Sequence, residues 1–272
     1  MRIFLIGVLF IGILSNCSNG SDSSNQTLID PIAVTPLINY SVVSFLSHDT
    51  ALFTEGFLVH KGMLFESSGA PDDLPQTQSV VGISDPKTGL FETKVRIDKA
   101  KYFGEGIAIA NNKLYQLTYK NQEGFVYDLE SFKQISKFRY SNLEGWSLTF
   151  DGTHLIMSDG TDKLTYLDST TLQAVRILNV TENGVALNHL NELEFIRGFV
   201  YANVWMTNYI VKIDPTNGKV VGKLDLSSLV YESKNKNPRV DVLNGIAYDA
   251  FADKIYVTGK LWPNIYEIVF HH

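Results

Sequence analysis

Cysteine is the scarcest residue here: Cys17 stands alone among 272 residues, so no disulfide can form within the chain. Basic runs are missing as well, and the formal net charge is −6, which argues against nucleic acid as a partner. The histidines (His48, His60, His154, His189, His271, His272) show no paired spacing and cluster with no carboxylates, so no metal site is expected. Neither a GxSxG nucleophile elbow nor a phosphate-binding glycine loop occurs. Helical periodicity is nearly absent. In its place, short β-branched and aromatic runs alternate with Gly, Asn, Asp and Pro, the pattern of an all-β protein.

The longest apolar run covers residues 3–14, behind Met1 and Arg2. It falls short of the roughly 20 residues that span a bilayer and fits the apolar region of a secretory signal. Leu14-Ser15-Asn16-Cys17 follows it and resembles a bacterial lipobox, although Asn16 stands where Gly or Ala is usual. The expectation is a signal peptide over 1–17, with Cys17 acylated as the mature N-terminus. The protein is then exported, periplasmic or at the cell surface, and held to a membrane by a lipid anchor. The plainer alternative is a cleaved signal with an incidental cysteine. Residues 18–36 begin with Ser, Asn, Gly and Asp almost exclusively and read as a flexible tether. The folded domain is expected over 37–272, as a monomer.

One phrase recurs five times in that domain: a polar residue, usually followed by Gly, then an apolar strand, a turn and a second strand. It begins at Glu55, Glu105, Glu144, Asn191 and Asn244. A second phrase, Asp followed by a turn and a strand, comes after each of the first four, at residues 84–97, 127–140, 167–180 and 213–226. Each pair supplies four strands, the content of one propeller blade. The fifth unit ends one strand short, while residues 38–46 form an extra strand at the other end. Pairing the two closes a five-bladed β-propeller without an open edge.

On that arrangement the five polar positions converge at one mouth of the ring, with Glu192 and Glu194 nearby. Phe53, Phe103, Trp146, Trp205 and Trp262 join them. A carboxyl beside buried aromatic surface has a raised pKa and can shuttle a proton. The plainer account of each glutamate is a backbone hydrogen bond between adjacent blades.

Taken together, FTEGF (53–57), FGEGI (103–107), EGWSLTFDG (144–152), LNELEFI (190–196), YANVW (201–205), LNGIAYD (243–249) and TGKLWP (258–263) resemble the glutamine cyclotransferase family. These are the plant-and-bacterial glutaminyl cyclases, five-bladed propellers unrelated to the zinc-dependent animal enzymes. The resemblance spans about residues 39–270, in order. It implies cyclisation of an N-terminal glutamine to pyroglutamate with release of ammonia, without cofactor or metal. It further implies Glu105 as the acid/base carboxyl. Trp146, Asn191, Trp205, Asn244 and Lys260 fall on family positions that line the pocket, and Phe53, Glu55, Phe103 and Tyr119 are expected beside them. Glu55 stands where the family often carries Gln, and Tyr119 where many members have Trp. Residues 69–80 form a longer loop that could cap the mouth. Two other readings stay open on the residues alone: a non-catalytic propeller that binds a peptide or protein, and a metal-dependent propeller enzyme such as a lactonase.

Overall fold

The computed structural model describes residues 34–85 and 88–272, so the expected signal segment, Cys17 and most of the expected tether lie outside the described residues. Five four-stranded antiparallel sheets make up the domain, each a blade. Their innermost strands are Phe53–His60, Gly104–Ala110, Ser147–Phe150, Leu190–Ile196 and Leu243–Asp249. Inner strands are buried along most of their length, whereas fourth strands such as Gln134–Arg139 and Ala174–Asn179 lie largely exposed. The apolar core sits between blades. Ile156 and Tyr166 of the third, for example, cluster with Val200 and Val211 of the fourth.

The recurring aspartate of the second phrase has a local job. Asp128, Asp168 and Asp214 each accept a backbone N–H two or three residues on, from Ser131 (2.9 Å), Thr171 (2.7 Å) and Thr216 (2.8 Å). That is the side-chain turn by which Asp reverses a chain, here between the third and fourth strands of a blade.

The ring closes as the repeat count requires. Strand Tyr40–Ser47 pairs antiparallel with Asn264–Phe270, from Tyr40 opposite Phe270 to Ser47 opposite Asn264, and completes the fifth blade from outside. His48 locks the seam. Its Nδ1 donates to the Trp262 carbonyl (2.7 Å) and its Nε2 to the Glu66 carboxylate (3.0 Å), tying the fifth blade to the first. Burial alone would lower the His48 pKa, but the Glu66 charge and these hydrogen bonds outweigh it and raise it.

Two features of the inner strands position the functional residues. Four of them carry a bulge near their start, between Thr54 and Gly56, Gly104 and Ile107, Leu190 and Leu193, and Leu243 and Ile246. Glu55, Glu105, Asn191 and Asn244 all fall inside those bulges, which break the strand alternation and re-aim a side chain. Close approach at the axis is the second feature. A Cβ on Gly106 would overlap the Ser147 backbone of the next blade, so only glycine fits there. The repeated polar-Gly pair is thus one residue for the mouth and one for the axis.

One element departs from the all-strand expectation. Ser227–Lys236 is an α-helix between the fourth and fifth blades, and it buries Leu229, Val230 and Ser233. Its few apolar residues were too sparse to stand out as a helical period. No helix of the described residues is long and apolar enough to cross a membrane.

Candidate active site

The bulged ends of the inner strands open into a cavity of about 370 Å³. Glu105 and Glu55 lie in it, only 4% and 3% exposed. Their surroundings differ. Lys260 Nζ is 2.7 Å from Glu55 Oε1, and Asn244 Nδ2 is 3.4 Å from Glu55 Oε2 and donates to the Thr54 carbonyl at 2.9 Å. Glu55 is therefore held in place. Glu105 receives no hydrogen bond from any described residue, so its oxygens face the cavity uncommitted.

Burial raises the Glu105 pKa well above the usual carboxyl range. The Glu55 charge pushes it further up and Lys260 pulls the other way. Burial raises Glu55 too, with Lys260 opposing. A buried carboxylate with a raised pKa is a stronger base than a free one, and can take up a proton and hand it back.

Aromatic rings make the walls. Phe53 meets Phe103 edge-on (6.3 Å, 87°), Phe103 meets Tyr119 (5.9 Å), and Trp146 meets Trp205 edge-on (5.7 Å, 82°). Lys260 Nζ also lies over the Phe53 ring, 4.5 Å from its centre. Phe103 can enter the wall because residue 69 is glycine, where a Cβ would overlap its ring. Asn191 is the remaining polar residue of the floor. Its backbone carbonyl accepts the Ser158 hydroxyl (2.8 Å), while its buried Oδ1 has no partner among the described residues.

Nine of the expected site residues share this cavity: Glu105 with Glu55, Lys260 and Asn191, and the aromatic Phe53, Phe103, Tyr119, Trp146 and Trp205. Asn244 does not line it and stands behind Glu55. Trp262 turns into the core of the fifth blade, its indole N–H on the Asp241 carbonyl (3.0 Å). Glu144 props Trp146, accepting its indole N–H at 2.9 Å, and lies 3.7 Å from Lys120. Glu192 and Glu194 lie farther down the channel as inter-blade acceptors. Glu192 takes N–H groups of Phe57 (3.1 Å) and Ile246 (2.8 Å), and Glu194 that of Tyr248 (2.8 Å). For this deeper pair the architectural account describes the contacts.

Met206 and Asp241 line the cavity without having been expected. Met206 lies in the turn between the second and third strands of the fourth blade, Phe199–Val204 and Tyr209–Ile213, and Asp241 just before the first strand of the fifth; only the Trp205 neighbour pointed to Met206. No residue of the loop 70–79 lines it. Among the described residues, no group of three or more His, Cys, Asp or Glu is placed to hold a metal ion.

Comparison with known proteins bears on this constellation. A family model described as "Glutamine cyclotransferase" matches residues 10–270. The chain is 38% identical over 229 residues to the "Glutaminyl-peptide cyclotransferase" of Arabidopsis thaliana, covering 84% of this chain and 70% of that relative. It is also similar to the crystal structure of Myxococcus xanthus glutaminyl cyclase, with a TM-score of 0.76 and 31% identity, over 86% of this chain and 98% of the other.

Proposed function

Because this chain belongs to the glutamine cyclotransferase family, we propose that it converts the N-terminal glutamine of peptides to pyroglutamate and releases ammonia, with Glu105 as the proton shuttle. The observation that carries the assignment of Glu105 is its isolation: a buried carboxyl with a raised pKa, in an aromatic cavity, claimed by no donor among the described residues.

The chemistry follows from what that carboxyl can reach. The substrate's α-amine, with a pKa of about 8, attacks in its neutral form and gives a proton to the Glu105 carboxylate as it does so. Its nitrogen bonds to the side-chain amide carbon of the same residue, closing a five-membered ring. Negative charge collects on the amide oxygen, where the stabilisers are the Asn191 amide N–H and the N–H groups of the Lys260 ammonium not taken by Glu55. Glu105 then returns its proton to the departing nitrogen, the C–N bond breaks, and ammonia leaves. Nucleophile and electrophile belong to one residue, so holding it folded between the aromatic walls supplies much of the rate.

Ammonia release from a Gln-initiated dipeptide amide tests the reading, with the full chain assayed before and after treatment with a chelator. Release that survives chelation supports the carboxyl mechanism. Release abolished by chelation and restored by a metal ion would move the chemistry away from Glu105. No release from any Gln-initiated peptide by the folded protein would leave a binding propeller.

A further inference from the structure

A peptide whose first residue lies at Glu105 has to leave the cavity past its open rim, and the rim is unevenly built. Met206 lines the cavity yet is 67% exposed, and its neighbour Trp205 is 36% exposed. The Met206 backbone has a φ of +63°, a left-handed conformation unfavourable to a residue with a side chain. Thr207 pins that turn, donating both its N–H (3.1 Å) and its hydroxyl (2.7 Å) to the Val204 carbonyl. Trp205 is wedged between Trp146 and His189, whose ring meets it edge-on at 5.6 Å, and its N–H donates to the His189 carbonyl at 2.8 Å. A flexible, polarizable thioether is thereby mounted on a rigid aromatic base, the kind of surface that adapts to varied apolar groups.

Space and charge agree on what would sit there. At about 370 Å³ the cavity exceeds what one glutaminyl residue fills. Asp241 also lines it, exposed, and its carboxylate is engaged by the Val242 N–H at 2.6 Å. A negative charge at the rim opposes an acidic side chain entering it.

Resting on the cyclisation reading, we infer that Met206 determines specificity at the second residue of the substrate. With Trp205 it forms an apolar subsite for the side chain that follows the glutamine. Peptides with Leu or Phe in second place are the favoured class, and those with Asp or Glu are the poorest.

The test compares kcat/KM for Gln-Phe, Gln-Leu, Gln-Gly and Gln-Asp amides on the wild type, Met206→Ala and Met206→Gly. Glycine at 206 suits the left-handed backbone, so one variant keeps the turn even if the other strains it. The wild-type ratio of Gln-Phe to Gln-Gly is expected to be about 5- to 20-fold. In both variants the ratio should collapse towards unity, and Met206→Leu should restore most of it. A wild-type ratio near unity, or one that survives removal of the thioether in both variants, overturns the subsite while leaving the cyclase reading intact. Failure to turn over any of the four amides would fall on the cyclase reading instead.

Discussion

Lys260 Nζ lies 2.7 Å from Glu55 Oε1, so the one lysine among the residues lining the cavity is already engaged by a carboxylate when substrate arrives. The arrangement bears on Glu105, since Glu55 raises its pKa and Lys260 lowers it. Replacing Glu55 by Gln removes the first influence and frees the second. Both changes lower the Glu105 pKa, so its proton-accepting form persists to lower pH. The acid limb of the kcat/KM profile is expected to move to lower pH in Glu55→Gln. An unmoved limb would assign it to another group.

Phe103 owes its place to the absence of a side chain at residue 69. Gly69→Ala should push the ring into the cavity and disturb the pocket beside Glu105. A fall in kcat/KM of about 10- to 100-fold is expected, since a displacement of about an ångström can cost that much. A value within twofold of wild type would show that the wall gives way without consequence.

The buried acids predict an unusual pH dependence of stability. Glu194 is pushed up to about 8, chiefly by burial, whereas an unfolded glutamate titrates near 4.3. Between those values the native state binds more protons than the unfolded one, so stability falls as pH rises through that window. His48 acts in the same direction: its raised pKa stabilises the native state below about 6.5, and the gain is lost as pH climbs through the folded value. Tm is therefore expected to be higher near pH 5.5 than at pH 9. Glu194→Gln should flatten part of that slope, as thermal melts across the range will show. An equally steep slope in the variant would put its source elsewhere.

His48 is also the seam of the ring. His48→Ala would leave the Glu66 carboxylate buried with the Thr54 hydroxyl (2.7 Å) as its hydrogen bond. Breaking a buried pair in this way costs about 3–5 kcal/mol, to be read as a lowered urea midpoint with an unchanged m-value. A loss below about 1 kcal/mol would mean that strand pairing alone closes the ring.

Much of this was legible in the sequence because a propeller repeats. Five polar-strand-turn-strand phrases set the blade count, and the missing last strand together with the spare first one predicted the closure that Tyr40 and Phe270 make. Glu55, Glu105 and Asn191 could be placed at one mouth because equivalent repeat positions are equivalent in space. The same logic fails wherever neighbouring repeats differ. Glu144 precedes its strand, where the equivalent Glu105 lies inside one, so its carboxylate turns to the Trp146 indole and not to the cavity floor. Trp262 looked like Trp205, yet its side chain packs into the core because the chain turns at Gly259–Leu261. Met206 and Asp241 belong to loops without a repeat signature, and the helix Ser227–Lys236 is an insertion no other blade has. The bulges, which depend on pairing register, cannot be read from one strand alone.

The central claim is that Glu105 carries the proton, and Glu105→Gln tests it most directly. The amide keeps the size of the side chain but cannot accept a proton from the amine and return it. Ammonia release from a Gln-initiated dipeptide amide, followed at saturating substrate beside a binding measurement on the same variant, separates catalysis from recognition. The account predicts a fall in kcat of about 10²–10⁴ with substrate still bound. A variant that releases ammonia within tenfold of the wild-type rate would contradict it.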